Sequence, residues 1–212
     1  MTNTDHNKII IKTAAAFFKN HGITRKGQSR TFHDDHCWFT TIIEFQPHRW
    51  ERGTFLNVGV NFHWYEKDYF SFDIGYREAE FIEFADEGTF QSEIENLCEL
   101  ALTKIIEYRE NLKTLKSSRE KICDFEFASD TLWGNYHKGT ISGIIGDFNS
   151  MRNYYDKLLM VDHNVEWANE LKERTKSLLT KANDLESFKM AVDKIVVETR
   201  KLKKLPVCQT NF

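Results

Sequence analysis

WFTTIIEFQPHRWERGTFLNVGVNFHW, residues Trp38 to Trp64, places apolar residues on alternate positions in two runs joined by a short polar loop. Successive side chains of a strand point to opposite faces, so a period of two separates each run into two sets. In the second run Leu56, Val58, Val60, Phe62 and Trp64 share one face, and Phe55, Asn57, Gly59, Asn61 and His63 share the other. In the first run Phe39, Thr41, Ile43 and Phe45 point one way, against Trp38, Thr40, Ile42, Glu44 and Gln46. The pattern predicts an antiparallel pair within a sheet that has one buried face and one polar, aromatic-dotted face.

Upstream, Ile10, Ala14, Phe17, Phe18 and His21 repeat at helical spacing and predict a helix from about Thr4 to His21, stopped by Gly22. Gln28–His33 reads as a short strand, Asp34-Asp35 as a turn, Cys37–Gln46 and Thr54–Trp64 as long strands, and Tyr69–Tyr76 as a further one. Phe81, Ile82 and Phe84 read as a fifth edge strand or a connector. The period then lengthens. Ile94, Leu97, Cys98, Ala101, Leu102, Ile105, Tyr108, Leu112 and Leu115 form a stripe that predicts one long helix, about Phe90 to Arg119, over the buried face with its Phe39, Ile43, Leu56, Val58, Val60, Phe70 and Phe72.

Asp124–Gly139 has no clear period and marks a boundary between an α+β sheet domain, residues 1–123, and a C-terminal helical region, residues 124–212. Beyond it, stripes at Ile141–Ile145, Met151–Leu159, Val165–Ala182 and Phe188–Leu202 predict four helices, with Asp147 and Asp184 as caps and Pro206 closing the last. Gly139, Ser142 and Gly143 near the Gly146 break suggest an αα-hairpin of the tetratricopeptide type, although one such unit does not make a solenoid. The fold class is therefore α+β: a leading helix, an antiparallel meander of four to five strands under a long helix, then helices.

The chain has 212 residues, 29% charged and 41% hydrophobic, with only two prolines, which suits a globular protein able to bury its own core. A net charge of −3 gives no global reason to expect nucleic acid or a membrane as partner. Cys37, Cys98, Cys123 and Cys208 are scattered without a C-x-x-C pair, and the N-terminus lacks the features of a secretory signal. These features read as a cytoplasmic, thiol-reduced protein.

His33, Asp34, Asp35, His36 and Cys37 are ligand-type residues in one stretch, and His63 lies on a nearby strand. A turn attracts Asp for backbone reasons alone, so the plainer reading is a polar hairpin tip. No metal or cofactor is assigned, and His33, His36 and His63 stand as the candidates were a metal present. The loop Pro47–Gly53 gathers His48, Arg49, Trp50 and Arg52, and Arg beside Trp is a recurring recognition chemistry. With Gln46, Asn57, Asn61, His63 and Asp73 of the polar face, these residues form the candidate binding set. The basic run Arg200, Lys201, Lys203 and Lys204 sits where cations complement a helix C-terminus, which favours a helix-end role over a nucleic-acid patch. No phosphate-binding glycine loop, G-x-S-x-G or H-E-x-x-H is present.

GITRKGQSRTF (Gly22–Phe32), IIEFQPHRW with TFLNVGV (Ile42–Val60), GTISGIIGDFNSMRNYYDKLL (Gly139–Leu159) and ETRKLKKLP (Glu198–Pro206) resemble segments of the DUF4304 family of uncharacterised bacterial proteins. The resemblance implies the same order of leading helix, antiparallel sheet and trailing helices, and it carries over no catalytic residue. The expected role is a cytoplasmic binding or interaction module, of accessory or immunity type, for a protein partner or small ligand. The alternatives are a metal-dependent hydrolase or nuclease using the His/Asp cluster, and a homo-oligomer subunit anchored by Tyr154 and Tyr155.

Overall fold

The computed structural model describes residues 5–128, 130–210 and 212. These fall into two compact units, the described residues up to Phe62 with Phe70–Arg109, and His63–Tyr69 with Glu110–Phe212. In the first unit α1 (His6–Lys19) is capped by Asp5, whose carboxylate accepts the Asn7 amide, and the chain turns at Gly22 with φ +73°. Strands β1 (Thr24–Arg25), β2 (Thr31–Asp35), β3 (Phe39–Gln46), β4 (Gly53–Phe62) and β5 (Ile74–Glu83) follow in sequential antiparallel order. The long helix α2 (Glu87–Asn111) completes the unit and turns Phe90, Ile94, Cys98, Ala101 and Ile105 inward.

The alternation read from the sequence is the one that pairs. Phe39 faces Phe62, Ile43 faces Val58 and Phe45 faces Leu56, all buried. On this face Phe18 of α1 packs 5.2 Å from Phe32 of β2, and Arg109 of α2 grips Asp34, so both helices cover it. Burying side chains of this size stabilises the fold by about 1.5–3 kcal/mol each, which favours this register over a one-residue slip.

Four local expectations are corrected. Asp34-Asp35 lies in β2 rather than at the turn, which falls on His36–Trp38 with Cys37 at φ +68°. The strand expected over Tyr69–Tyr76 begins at Ile74 and absorbs Phe81 and Ile82. Phe70 and Phe72, expected under the helix, lie on the other face of the sheet. Phe70 stands 5.7 Å from His33, and Phe72 lies against Gly59. The helix expected to run to Arg119 stops at Asn111, because Thr114 and Ser117 form a capping box that starts α3 (Leu115–Asp124).

In the second unit a π-helical turn (Asp130–Gly134) and α4 (Asn135–Ile144) occupy part of the stretch that has no sequence period. Helices α5 (Phe148–Leu159), α6 (Glu166–Leu179) and α7 (Leu185–Leu202) follow, with Asp147 and Asp184 capping α5 and α7 as expected. Gly139 and Gly143 admit Tyr155 and Phe188, whose rings stand 2.4 Å from where a Cβ would be. Tyr155 is therefore core and not an interface anchor; its hydroxyl lies 2.9 Å from Thr140 Oγ1. Trp64 leaves the sheet, which ends at Phe62. Its Nε1 donates to His137 Nδ1 at 2.8 Å, and its carbonyl accepts from Tyr136 Oη at 2.7 Å. Arg200, read as part of a basic run at a helix C-terminus, lies in the last turn of α7, is buried and donates from Nη2 to Pro206 O at 2.7 Å.

Cysteine states also differ from the fully reduced expectation. In the first unit Cys98 is a buried free thiol whose pKa burial pushes up to about 12, whereas Cys37 is disulfide-bonded. In the second unit Cys123 is free and Cys208 is disulfide-bonded. Among the described residues no helix is long and apolar enough to cross a membrane.

A methyl group at Gly59 would stand 2.3 Å from Ile74 O and 2.7 Å from the Phe72 ring. Gly59→Ala is expected to cost about 2 kcal/mol, read as a lower urea midpoint. Gly88→Ala, where the nearest atom would be 3.6 Å from the added carbon, stays within about 1 kcal/mol of the parent.

Candidate functional site

The second face of the sheet divides into a closed end and an open end. At the closed end the Phe70–Asp73 segment lies over β4. Asp73 Oδ2 accepts from Asn61 Nδ2 at 2.8 Å and from the Phe62 amide at 2.7 Å, and Ser71 Oγ donates to Asp73 Oδ1 at 2.8 Å. Asn61 is fully buried. Asn61 and Asp73, both in the candidate binding set, are thus used to fasten this segment. A buried amide and carboxylate satisfied by neighbours are structural groups first. His63 is buried and belongs to the second unit.

At the open end the strand register sets Glu44 beside Asn57 and Gln46 beside Phe55, with Asn57 also opposite Arg77 of β5. Asn57 Nδ2 donates to Glu44 Oε2 at 3.0 Å and to Gln46 Oε1 at 2.9 Å. Arg77 Nη2 donates to the same Gln46 oxygen at 2.9 Å, and its guanidinium lies 4.0 Å from the Phe55 ring centre. His48 sits 5.0 Å from Phe81, which is 5.2 Å from Phe55. Gln46, His48 and Asn57 of the expected set are therefore brought together with Phe55, Phe81 and Arg77.

The Pro47–Gly53 loop is organised by His48, whose Nδ1 faces the amides of Trp50 at 3.3 Å and Glu51 at 3.1 Å. Beyond this turn Trp50 is 78% exposed, with the Arg49 guanidinium 4.5 Å above its ring. Arg52 lies 4.2 Å over Phe84. Three guanidinium groups on aromatic rings (Arg49 on Trp50, Arg52 on Phe84, Arg77 on Phe55) thus mark this end of the unit. Such pairing holds a guanidinium extended over its ring.

A cleft of about 470 Å³ opens beside the loop, lined by His6, Arg30, Glu44, His48 and Glu51 among others. Arg30 is committed to holding its floor, donating to Gly53 O at 3.2 Å, to His6 Nε2 at 3.1 Å and to Asn7 Oδ1. Burial, then the nearby Arg30 and Arg52, hold His6 below the ordinary histidine value, which keeps it an uncharged acceptor for Arg30. Ser29 Oγ donates to Lys26 O and accepts the Thr31 amide, a turn contact rather than an activated hydroxyl. His6, Arg30 and Arg77 were missed in the sequence. His6 and Arg30 lie on elements remote in sequence from the loop, and Arg77 was hidden by the misplaced start of β5.

The candidate metal histidines diverge. His33 is on the second face, its Nε2 2.9 Å from Thr24 Oγ1. His36 turns to the first face, its Nε2 2.6 Å from Asp34 Oδ2. Among the described residues no group of three or more His, Cys, Asp or Glu is placed to hold a metal ion. Asp34 is instead the centre of an ion pair: Arg109 Nε and Nη2 each donate to its carboxylate at 2.9 Å, and Arg109 Nη2 also reaches His21 O. Burial raises the Asp34 pKa, but the hydrogen bonds from His36 and Arg109 outweigh it and hold the carboxyl below its usual range.

Compared with known proteins, the chain matches no protein family, no curated protein and no solved structure.

A carboxyl with a lowered folded pKa stabilises above its unfolded value, and that contribution fades as pH falls through the folded one. Asp34→Asn is expected to lower stability by about 2 kcal/mol at pH 7, below the 3–5 of a fully buried pair because Arg109 reaches solvent. The gap between parent and variant in urea unfolding should shrink below about pH 4. A gap unchanged down to pH 2 would show that the ion pair contributes nothing.

Proposed function

We propose that the protein is a binding module that captures an acidic segment of a protein partner at the open end of its sheet. The observation that carries this reading is the 78% exposed Trp50 under the Arg49 guanidinium, with Arg52 on Phe84 and Arg77 on Phe55 as further guanidinium–aromatic pairs of the same unit. Exposed Trp and Arg are the residue types most enriched among those that dominate interface energetics. A tryptophan held out to solvent on a loop ordered by His48 is a side chain waiting for a surface. The adjoining cleft, about 470 Å³, adds a concave edge with hydrogen-bonding groups along its wall. The resemblance to the DUF4304 family brings no activity that competes with this reading.

The alternative, a metal-dependent hydrolase or nuclease, needs His33, His36 and His63 to converge with Asp34, Asp35 or Asp73. His33 and His36 lie on opposite faces, and Asp34 and Asp73 are spent on structural partners. The binding reading is therefore the one carried forward.

Arg49→Ala with Trp50→Ala is expected to abolish capture of the acidic partner retrieved from host lysate by the parent, and to leave thermal unfolding unchanged. Loss of two interface anchors corresponds to a weakening of about 30-fold or more. Retrieval of the same partner at the same yield by the folded double variant removes this loop from the contact surface. Raising salt from 50 to 500 mM should also weaken capture, since exposed charge pairs are screened.

A further inference from the structure

The second unit holds an aromatic column that nothing in the sheet surface uses. Phe127 and His137 stack at 5.5 Å, His137 and Trp133 at 6.0 Å, and Trp133 and Trp167 at 5.9 Å, with successive ring planes 25°, 23° and 9° from parallel. The column starts in the core, where Phe127 and His137 are buried, and emerges at Trp167, which is 40% exposed. Trp64 fixes its inner part by donating to His137 Nδ1, and Tyr65 meets Trp133 edge-on at 4.8 Å. Trp133 is carried by the π-helical turn Asp130–Gly134, a departure from α geometry that recurs at functional sites.

We infer that the outer end of this column is a docking site for an arginine guanidinium presented by a protein partner. A cavity of about 460 Å³ opens beside Trp133 and Trp167, and Asp162 and His163 share its wall, with no lysine or arginine among the described residues that line it. His163 stands edge-on to Trp167 at 5.5 Å, closing one side. One helical turn along α6, Glu170 lines an adjacent cleft of about 470 Å³ with Glu66, paired to Arg174 at 2.9 Å, and Glu173, paired to Lys176 at 2.7 Å. The carboxylate in the wall of the cavity itself, beside the flat faces of Trp133 and Trp167, is Asp162.

Trp133 already meets a cation of the protein itself. Lys67 places its ammonium 5.8 Å from the Trp133 ring and 6.0 Å from Tyr69. A guanidinium suits the open Trp167 face better than an ammonium, because it is planar, stacks parallel to an indole and still pairs edgewise with a carboxylate such as Asp162. This site is independent of the Arg49–Trp50 surface and selects the opposite charge.

The test is a titration of the full chain with the peptide acetyl-Gly-Arg-Gly-amide, following the indole N–H signals of Trp133 and Trp167 by NMR. The peptide should shift both signals and leave that of Trp50 unmoved. The neutral citrulline counterpart should bind at least about fivefold more weakly, as loss of a cation–π contact and its charge partner requires. Trp167→Ala should abolish the Trp133 shift, and Asp162→Asn, which removes charge with little change of shape, should weaken it. Arg49→Ala with Trp50→Ala should leave it intact, which separates this site from the sheet surface. The inference is overturned if the arginine peptide moves neither indole signal, if the citrulline peptide binds as well, or if adenosine monophosphate binds more tightly.

Discussion

The pairing of β3 with β4, from Phe39 opposite Phe62 to Gln46 opposite Phe55, is the constraint from which the first unit follows. It puts Ile43, Phe45, Leu56, Val58 and Val60 on one face, where α1 and α2 exclude water from them. A slip of one residue would exchange that set for Glu44, Gln46, Asn57 and Asn61, a cost no local interaction could offset. The same register fixes the opposite face. It sets Asn57 between Glu44 and Gln46, and Thr40 beside Asn61, so the polar pattern follows from the apolar one.

What covers that opposite face decides where a ligand could approach. The Phe70–Asp73 segment shuts the end near Asn61, using Asp73 as a three-way acceptor and the bare surface of Gly59 as a seat for Phe72. At the other end the Pro47–Gly53 loop turns on His48, whose ring meets Phe81 at 5.0 Å and Phe55 at 5.9 Å, and Trp50 beyond it stays exposed. Guanidinium–aromatic pairs are concentrated there by geometry: Arg77 comes from β5, Phe84 from the connection after it, and Arg49 and Arg52 from the loop. The second unit solves a different problem. Its helices approach closely at Gly139 and Gly143, and its aromatic residues form a column from core to surface instead of a closed cluster.

Much of the fold was legible from periodicity, and particular residues show why. The apolar sets of β3 and β4 alternate cleanly, and Asp147 and Asp184 sit where caps belong, so those elements declared themselves. Tyr69–Tyr76 alternates as well as any strand, yet Phe70 and Phe72 lie outside β5. A period of two records which side a residue faces within an extended chain, not whether that chain joins the ladder. Of the candidate binding residues, Gln46, His48, Arg49, Trp50, Arg52 and Asn57 lie at the open end, while Asn61, His63 and Asp73 are buried or engaged elsewhere. Polarity on a strand face is the same signal for a solvated amide and for one that holds a covering segment.

The sequence by itself determined the α+β class, the central pairing, the order of helices and the exposed Arg/Trp loop. Each of these rests on short-range spacing, whose energetic meaning is set by the residues themselves. Only the tertiary structure decided which half of the polar face is closed, that His33 and His36 point to opposite sides, and that Asp34 answers to Arg109 across 75 positions of chain. Only it stacked Trp133 on Trp167. Those arrangements depend on contacts between residues far apart in sequence, and no local period encodes which distant partner a buried charge or an aromatic ring will meet.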